Sequence, residues 1–190
     1  MNIYFVRHTT VDWDRPHPYF HKPAPLDAAG KAHAARIGAW LAQRTGALPI
    51  YTSPLLRTLQ TAQIIQTQTG APDPIADERI IEVRCPQLQE TPDPTFTIEN
   101  EEDAPTYEGH AQVLARVLAF YQDILMAQTD TVVVSHGTPL SLLYRHLAHI
   151  PIPTHMWSRK EDQSHNIAKG EILHVQATSQ ESATLARHIV

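Results

Sequence analysis

Met1-Asn2-Ile3-Tyr4-Phe5-Val6-Arg7-His8 is the stretch from which the fold is read. Residues 2–6 form an apolar run of strand-forming types, and the run stops abruptly on a guanidinium and an imidazole. A strand end is a rigid place to hold a side chain. An imidazole beside a fixed guanidinium is suited to holding an anion while a nucleophile attacks it. Arg-His recurs at Arg145-His146 and Arg187-His188, but only Arg7-His8 follows an apolar β run.

Two further strand ends carry the same kind of chemistry. Thr131-Val132-Val133-Val134-Ser135 is the clearest buried strand in the chain, and it runs into His136-Gly137. A helix is expected at 139–149, opened by Pro139. Pro49-Ile50-Tyr51-Thr52 reads as another short strand, followed by Ser53 as a helix cap and Pro54 at the first helical position. That helix is expected to run to about residue 68, with Leu55, Leu59, Ala62 and Ile65 inward and Arg57 one turn in. Between the first two strands, Pro16, Pro18, Pro23 and Pro25 mark a loop over 9–26. Asp27 caps a helix expected over 28–44, with Ala32, Ala35, Ala39 and Ala42 on one stripe.

A strand is expected over 79–83. The proline-, threonine- and acid-rich segment 84–107 is read as an exposed excursion, its acidic run 99–103 a solvated face or a screen against polyanions. A helix follows over 108–127, with Val113, Leu114, Val117, Leu118, Tyr121, Ile124 and Leu125 on its apolar face. Late strands are expected near 171–176 and 183–189. The alternation predicts an α/β fold with a mostly parallel sheet.

At 190 residues the chain is expected to form one domain, 1–190, large enough for a sizeable core. Hydrophobic content of 42% and charged content of 18% are those of an ordinary globular protein. A formal net charge of -5 argues against a nucleic-acid or anionic-membrane surface, so any basic site is local. The one cysteine, Cys85, allows no intrachain disulfide and fits a reducing compartment. No signal-like or membrane-spanning run is seen, and a cytoplasmic location is expected. The 12 histidines raise the question of a metal, but His17/His21, His146/His149 and His149/His155 match no zinc signature, so none is expected.

In an open α/β sheet, ligands bind beyond the carboxyl ends of the strands. Arg7, His8, Arg57, His136 and Gly137 therefore converge on one crevice: a compact cationic pocket on an acidic protein. Helix starts near Pro54 and Pro139 add N–H groups and positive dipole ends.

These pieces resemble the histidine phosphatase superfamily, also called the phosphoglycerate-mutase-like family. The matching motifs are Val6-Arg7-His8-Thr9-Thr10, Leu26-Asp27-Ala28-Ala29-Gly30, the block from Tyr51 to Ala62 with Ser53-Pro54-Leu55-Leu56-Arg57-Thr58 at its centre, Glu82 after Arg79-Ile80-Ile81, and Val134-Ser135-His136-Gly137. The resemblance implies a three-layer α/β/α architecture with a small cap around 84–107. It makes His8 the nucleophile that becomes a phosphohistidine, with Arg7, Arg57 and His136 clamping the phosphoryl oxygens. Glu82 would donate a proton to the leaving alcohol, and neither cofactor nor metal is needed.

The chain departs from the pattern at two places. Thr9 stands where many members have glycine, narrowing the floor or adding a hydroxyl to it. Glu82 is followed by Val83-Arg84-Cys85-Pro86-Gln87-Leu88 rather than by a glycine and Trp-Glu-Gly. Glu78 and Glu90 are alternatives to Glu82 as the acid, and Arg84 is an additional cation within reach of substrate. Thr9, Thr10 and Trp13 are further pocket candidates. With Arg15, His17, Tyr19 and His21, Trp13 either lines the pocket or covers the sheet edge. The expected activity is hydrolysis of a small phosphate ester. Phosphoglycerate mutase-type transfer and a non-catalytic phosphate-binding module are the competing readings. α-Ribazole phosphate, sugar phosphates, nucleotides and phosphoproteins all remain open as substrates.

Overall fold

The computed structural model describes residues 1–12, 24–84, 108–153, 163–177 and 183–190. Its centre is a six-stranded sheet in the order β3-β2-β4-β1-β5-β6. The strands are β1 (Asn2–Arg7), β2 (Ile50–Thr52), β3 (Ile75–Ala76), β4 (Thr131–Ser135), β5 (Ile172–Ala177) and β6 (Ala183–His188). β3, β2, β4 and β1 pair in parallel, whereas β5 is antiparallel to both β1 and β6. One strand alone runs against the others, so the sheet is mostly parallel.

Among the described residues, four helices flank it: α1 (Ala28–Thr45), α2 (Leu56–Thr69), α3 (His110–Ala127) and α4 (Gly137–Leu147). Successive strand residues point to opposite faces, and this alternation divides the core in two. Ile3 and Phe5 of β1, Val133 of β4, and Leu173 and Val175 of β5 pack with Val113, Val117 and Phe120 of α3 and Leu140, Leu142 and Leu143 of α4. Tyr4, Val6, Val132, Val134 and Ile172 face the other way and pack with Ile37 and Leu41 of α1 and Ala62 and Ile65 of α2. The result is three layers. Burying an aliphatic or aromatic side chain of this size contributes about 1.5–3 kcal/mol before entropy is counted. Both faces are apolar, as expected of central parallel strands.

Several expectations are corrected. The alanine stripe Ala32, Ala35, Ala39 and Ala42 does not face the sheet; the buried face of α1 is Gly30, Ala34, Ile37, Gly38 and Leu41. The two bulky apolar residues, Ile37 and Leu41, outweigh the four alanines in transfer free energy and set the rotation of the helix. Phe120 joins the buried face of α3, while Leu114, Leu118 and Leu125 are only partly buried. α2 starts at Leu56, not Pro54, and no side chain caps it. The expected strand over 79–83 is a 3-10 turn, Glu78–Ile80, capped by Asp77; the edge strand is Ile75–Ala76 just before it. α4 begins at Gly137, two residues before Pro139, with His136 as its cap residue. The cap expected around 84–107 lies, from residue 85 on, outside the described residues. No helix among the described residues is long and apolar enough to cross a membrane.

Candidate functional site

Parallel register brings three carboxyl ends to one level. Val6 lies opposite Val134 and Arg7 opposite Ser135, while Thr52 lies opposite Val134 on the other side. The ladder continues past the strands, with His8 N donating to Ser135 O at 3.0 Å and Ser53 N to Val134 O at 3.0 Å. His8, Ser53 and His136 thus emerge side by side, and all three are buried.

The His8 ring has its proton assigned by its partners. Its Nδ1 lies 2.8 Å from Thr9 O, and a carbonyl can only accept, so Nδ1 carries the hydrogen. Arg57 Nε donates to His8 Nε2 at 3.2 Å, so Nε2 presents its lone pair. Burial, then the adjacent Arg57, with Arg7 and Lys169 adding, hold the imidazole well below its usual pKa; the Thr9 hydrogen bond only partly opposes them. At neutral pH the ring is uncharged. The His136 ring meets it edge-on at 5.2 Å between centroids, and His136 Nε2 is hydrogen bonded to Ser53 Oγ at 2.7 Å.

The two arginines come from different elements. Arg7 ends β1 and sends Nη1 to Ile167 O at 2.7 Å. Arg57, buried in the first turn of α2, is lowered to about 10, mainly by burial, partly opposed by Glu82 and reinforced by Arg7. It remains charged at neutral pH. Glu82 is buried and is the carboxylate that both guanidiniums sense. Its Oε1 accepts from Val83 N at 3.0 Å. The backbone there is tied down from two sides: Ser135 Oγ donates to Ile80 O at 2.7 Å, and Arg116 donates to Arg79 O at 2.7 Å and Glu82 O at 3.2 Å. Arg116 is itself held by a mostly buried ion pair with Glu108 at 2.6 Å.

The structure therefore brings Arg7, His8, Arg57, Glu82, His136 and Gly137 together. Thr9 is fully buried, and its hydroxyl has no hydrogen-bond partner among the described residues. Thr10 serves to seat α1: its Oγ1 donates to Asp27 Oδ1 at 2.8 Å, and its carbonyl accepts from Asp27 N at 3.3 Å. Glu78 and Arg84 face solvent and pair with each other at 3.6 Å, apart from the guanidinium cluster. Trp13, Glu90 and Cys85, together with Arg15, His17, Tyr19 and His21, lie outside the described residues.

Two participants were not expected. Ser53, read as a helix cap, instead bonds His136. Lys169 is an exposed cation on the segment between α4 and β5, and its field reaches His8, Asp27, Arg7 and Arg57. For Lys169, the only sequence cue was a Lys-Gly pair just ahead of a late strand.

The carboxyl edge of this α/β sheet thus carries two histidines and two arginines, drawn from β1, the start of α2 and the end of β4. The chain belongs to the histidine phosphatase superfamily (branch 1), whose sequence profile matches residues 3–171. It is 27% identical over 166 residues to a probable phosphoglycerate mutase GpmB from Serratia proteamaculans, covering 80% of this chain and 76% of the relative. A protein of the same name from an Enterobacter species is 30% identical over the same length and coverage. Among solved structures, Bacillus stearothermophilus YhfR superposes with a TM-score of 0.76 at 22% identity, covering 97% of this chain and 95% of that one. A mycobacterial glucosyl-3-phosphoglycerate phosphatase superposes at 0.72 and 18% identity, covering 99% and 97%.

Proposed function

We propose that this protein is a phosphomonoesterase that hydrolyses a small phosphate ester through a phosphohistidine on His8. The observation that carries the reading is the hydrogen-bonded state of that ring: Nδ1–H held by Thr9 O, with the Nε2 lone pair held beside Arg57. Nε2 attacks phosphorus, the bond to the leaving oxygen breaks, and Glu82 gives its proton to that oxygen. Water then attacks phosphorus, Glu82 takes a proton from it, the N–P bond breaks, and His8 returns to its neutral form. Arg7, Arg57, His136 and the N–H groups at Gly137 would hold the three oxygens over which charge spreads, the main task in phosphoryl transfer. The net charge of -5 favours a small-molecule substrate over nucleic acid or an anionic membrane, and the single cysteine suits the cytoplasm.

The test is His8→Ala. Hydrolysis of p-nitrophenyl phosphate is expected to fall by on the order of 10³-fold or more, and wild type mixed with labelled ester and quenched in base is expected to carry the label. Activity surviving in the purified variant would sink the reading. A second reading is phosphoglycerate mutase-type transfer, favoured by the names of the two sequence relatives. Interconversion of 2- and 3-phosphoglycerate, at a rate exceeding phosphate release, would replace hydrolase by mutase.

A further inference from the structure

The residue that the phosphoryl chemistry leaves without a task is Lys169. Its place is fixed from both sides. Ile167 O, two residues earlier, receives Arg7 Nη1 at 2.7 Å; Gly170 N, one residue later, donates to Arg7 O at 3.1 Å and His8 O at 3.3 Å. The segment is braced from outside, since Ser141 Oγ accepts from Ile167 N at 2.9 Å, and Arg187 pairs with Glu171 while donating to Asn166 O at 2.9 Å. Lys169 thus sits on a fixed ledge beside His8, exposed to solvent.

Among the described residues, Asp27 is the one acid whose field acts on it. Lys169 makes no ion pair with any described residue. Two of its electrostatic neighbours, Arg7 and Arg57, share its sign. The third, Asp27, is already engaged by Gly30 N and Thr10 Oγ1. A cation held beside two like charges raises the energy of the empty protein, and such arrangements concentrate where a bound anion offsets them. In the proton-donating form that the mechanism requires, Glu82 is neutral, and the guanidiniums of Arg7 and Arg57 then balance the roughly two negative charges of a phosphate monoester. Lys169 exceeds that need, and it stands outside the buried pair, where the rest of the ester must project.

Building on the phosphate-ester reading of the pocket, we propose that Lys169 is a specificity-determining residue that binds a second anionic group of the substrate, a carboxylate or a second phosphate. Esters carrying such a group are then preferred over neutral ones of the same size.

The experiment measures binding by calorimetry on the His8→Ala protein, so that turnover does not interfere, with and without Lys169→Met. Two matched pairs of probes are used: 3-phosphoglycerate against glycerol 3-phosphate, and fructose 1,6-bisphosphate against fructose 6-phosphate. Lys169→Met is expected to weaken the acidic member of at least one pair about 3- to 10-fold, the size of a partly exposed charge pair. The neutral member should change less than about 2-fold, and Lys169→Arg should retain most of the preference. The pair that responds tells carboxylate from phosphate. Equal losses within both pairs, or no loss in either, overturns the proposal. Failure of the phosphohistidine reading shows up separately, as aryl phosphate hydrolysis surviving in His8→Ala.

Discussion

At the residue scale the site depends on which ring nitrogens carry protons. His8 is fixed by a carbonyl on one side and a guanidinium on the other. For His136 the corresponding partner is Ser53, a buried hydroxyl at 2.7 Å from Nε2. On the proposed mechanism Ser53 Oγ donates to Nε2, which would place the His136 proton on Nδ1 and let that nitrogen donate to a phosphoryl oxygen. Ser53→Ala is expected to lower kcat about 10-fold with a smaller change in KM, while Ser53→Thr keeps most of the activity; steady-state kinetics on an aryl phosphate read both. Equal activity of the alanine variant and wild type would remove Ser53 from the mechanism. The sequence pointed to Ser53, but for another task. Ser-Pro before a helical pattern is a capping signal, and only the sheet register, which sets Thr52 opposite Val134, reveals that the hydroxyl meets an imidazole instead.

At the scale of elements, the residues just after His8 and the start of α1 form one unit. The Asp27 carboxylate accepts from Gly30 N and Thr10 Oγ1, and a Cβ on Gly30 would lie 2.1 Å from Thr10 O. That approach is possible only for glycine. Gly30→Ala is expected to cost about 1–3 kcal/mol of stability by overpacking and to lower kcat as well, because Thr10 follows directly on the carbonyl that orients His8. Urea unfolding and kcat measured together test this; a stability loss with unchanged kcat would separate the two. Elements with long apolar patterns were legible from sequence: β1, β4, α1 and α3 all form where the residue pattern placed them. The 79–83 strand was not, because its apolar pair Ile80-Ile81 is buried by a turn as well as by a strand. The closeness of Lys169 to Arg7 was invisible because it is created by β5 pairing beside β1, a contact spanning most of the chain. Of the candidate acids, Glu82 is buried beside both arginines and Glu78 faces Arg84 at the surface, while Glu90 lies outside the described residues; sequence alone left all three open.

At the scale of the whole molecule, ionisable groups held off their usual pKa values set the pH range of stability. His8, His33 and His174 are all lowered, chiefly by burial, so the unfolded chain binds protons there more readily than the folded one. Stability is therefore full above about pH 6.5, the unfolded histidine value, and falls as pH drops from there toward their folded values. Asp77, Glu108 and Asp130, lowered by hydrogen bonds and neighbouring cations, extend the loss below about pH 4. Thermal unfolding at pH 7.5, 6.5 and 5.5 is expected to show a Tm flat over the first interval and falling over the second; a rising Tm over the second would contradict it. The strand order carries a different consequence. β1 leads directly into His8 and lies at the middle of the sheet, yet Asn2 is tied to Asp130, 128 residues along, and its other flank is β5. Neither neighbour of β1 is local, so the loops that join them must close before the strand is covered, which slows folding and lengthens the exposure of its apolar residues. The candidate site is expected among the last features to assemble, because residues 167–171, which hold Arg7 and His8 from one side, arrive only with β5.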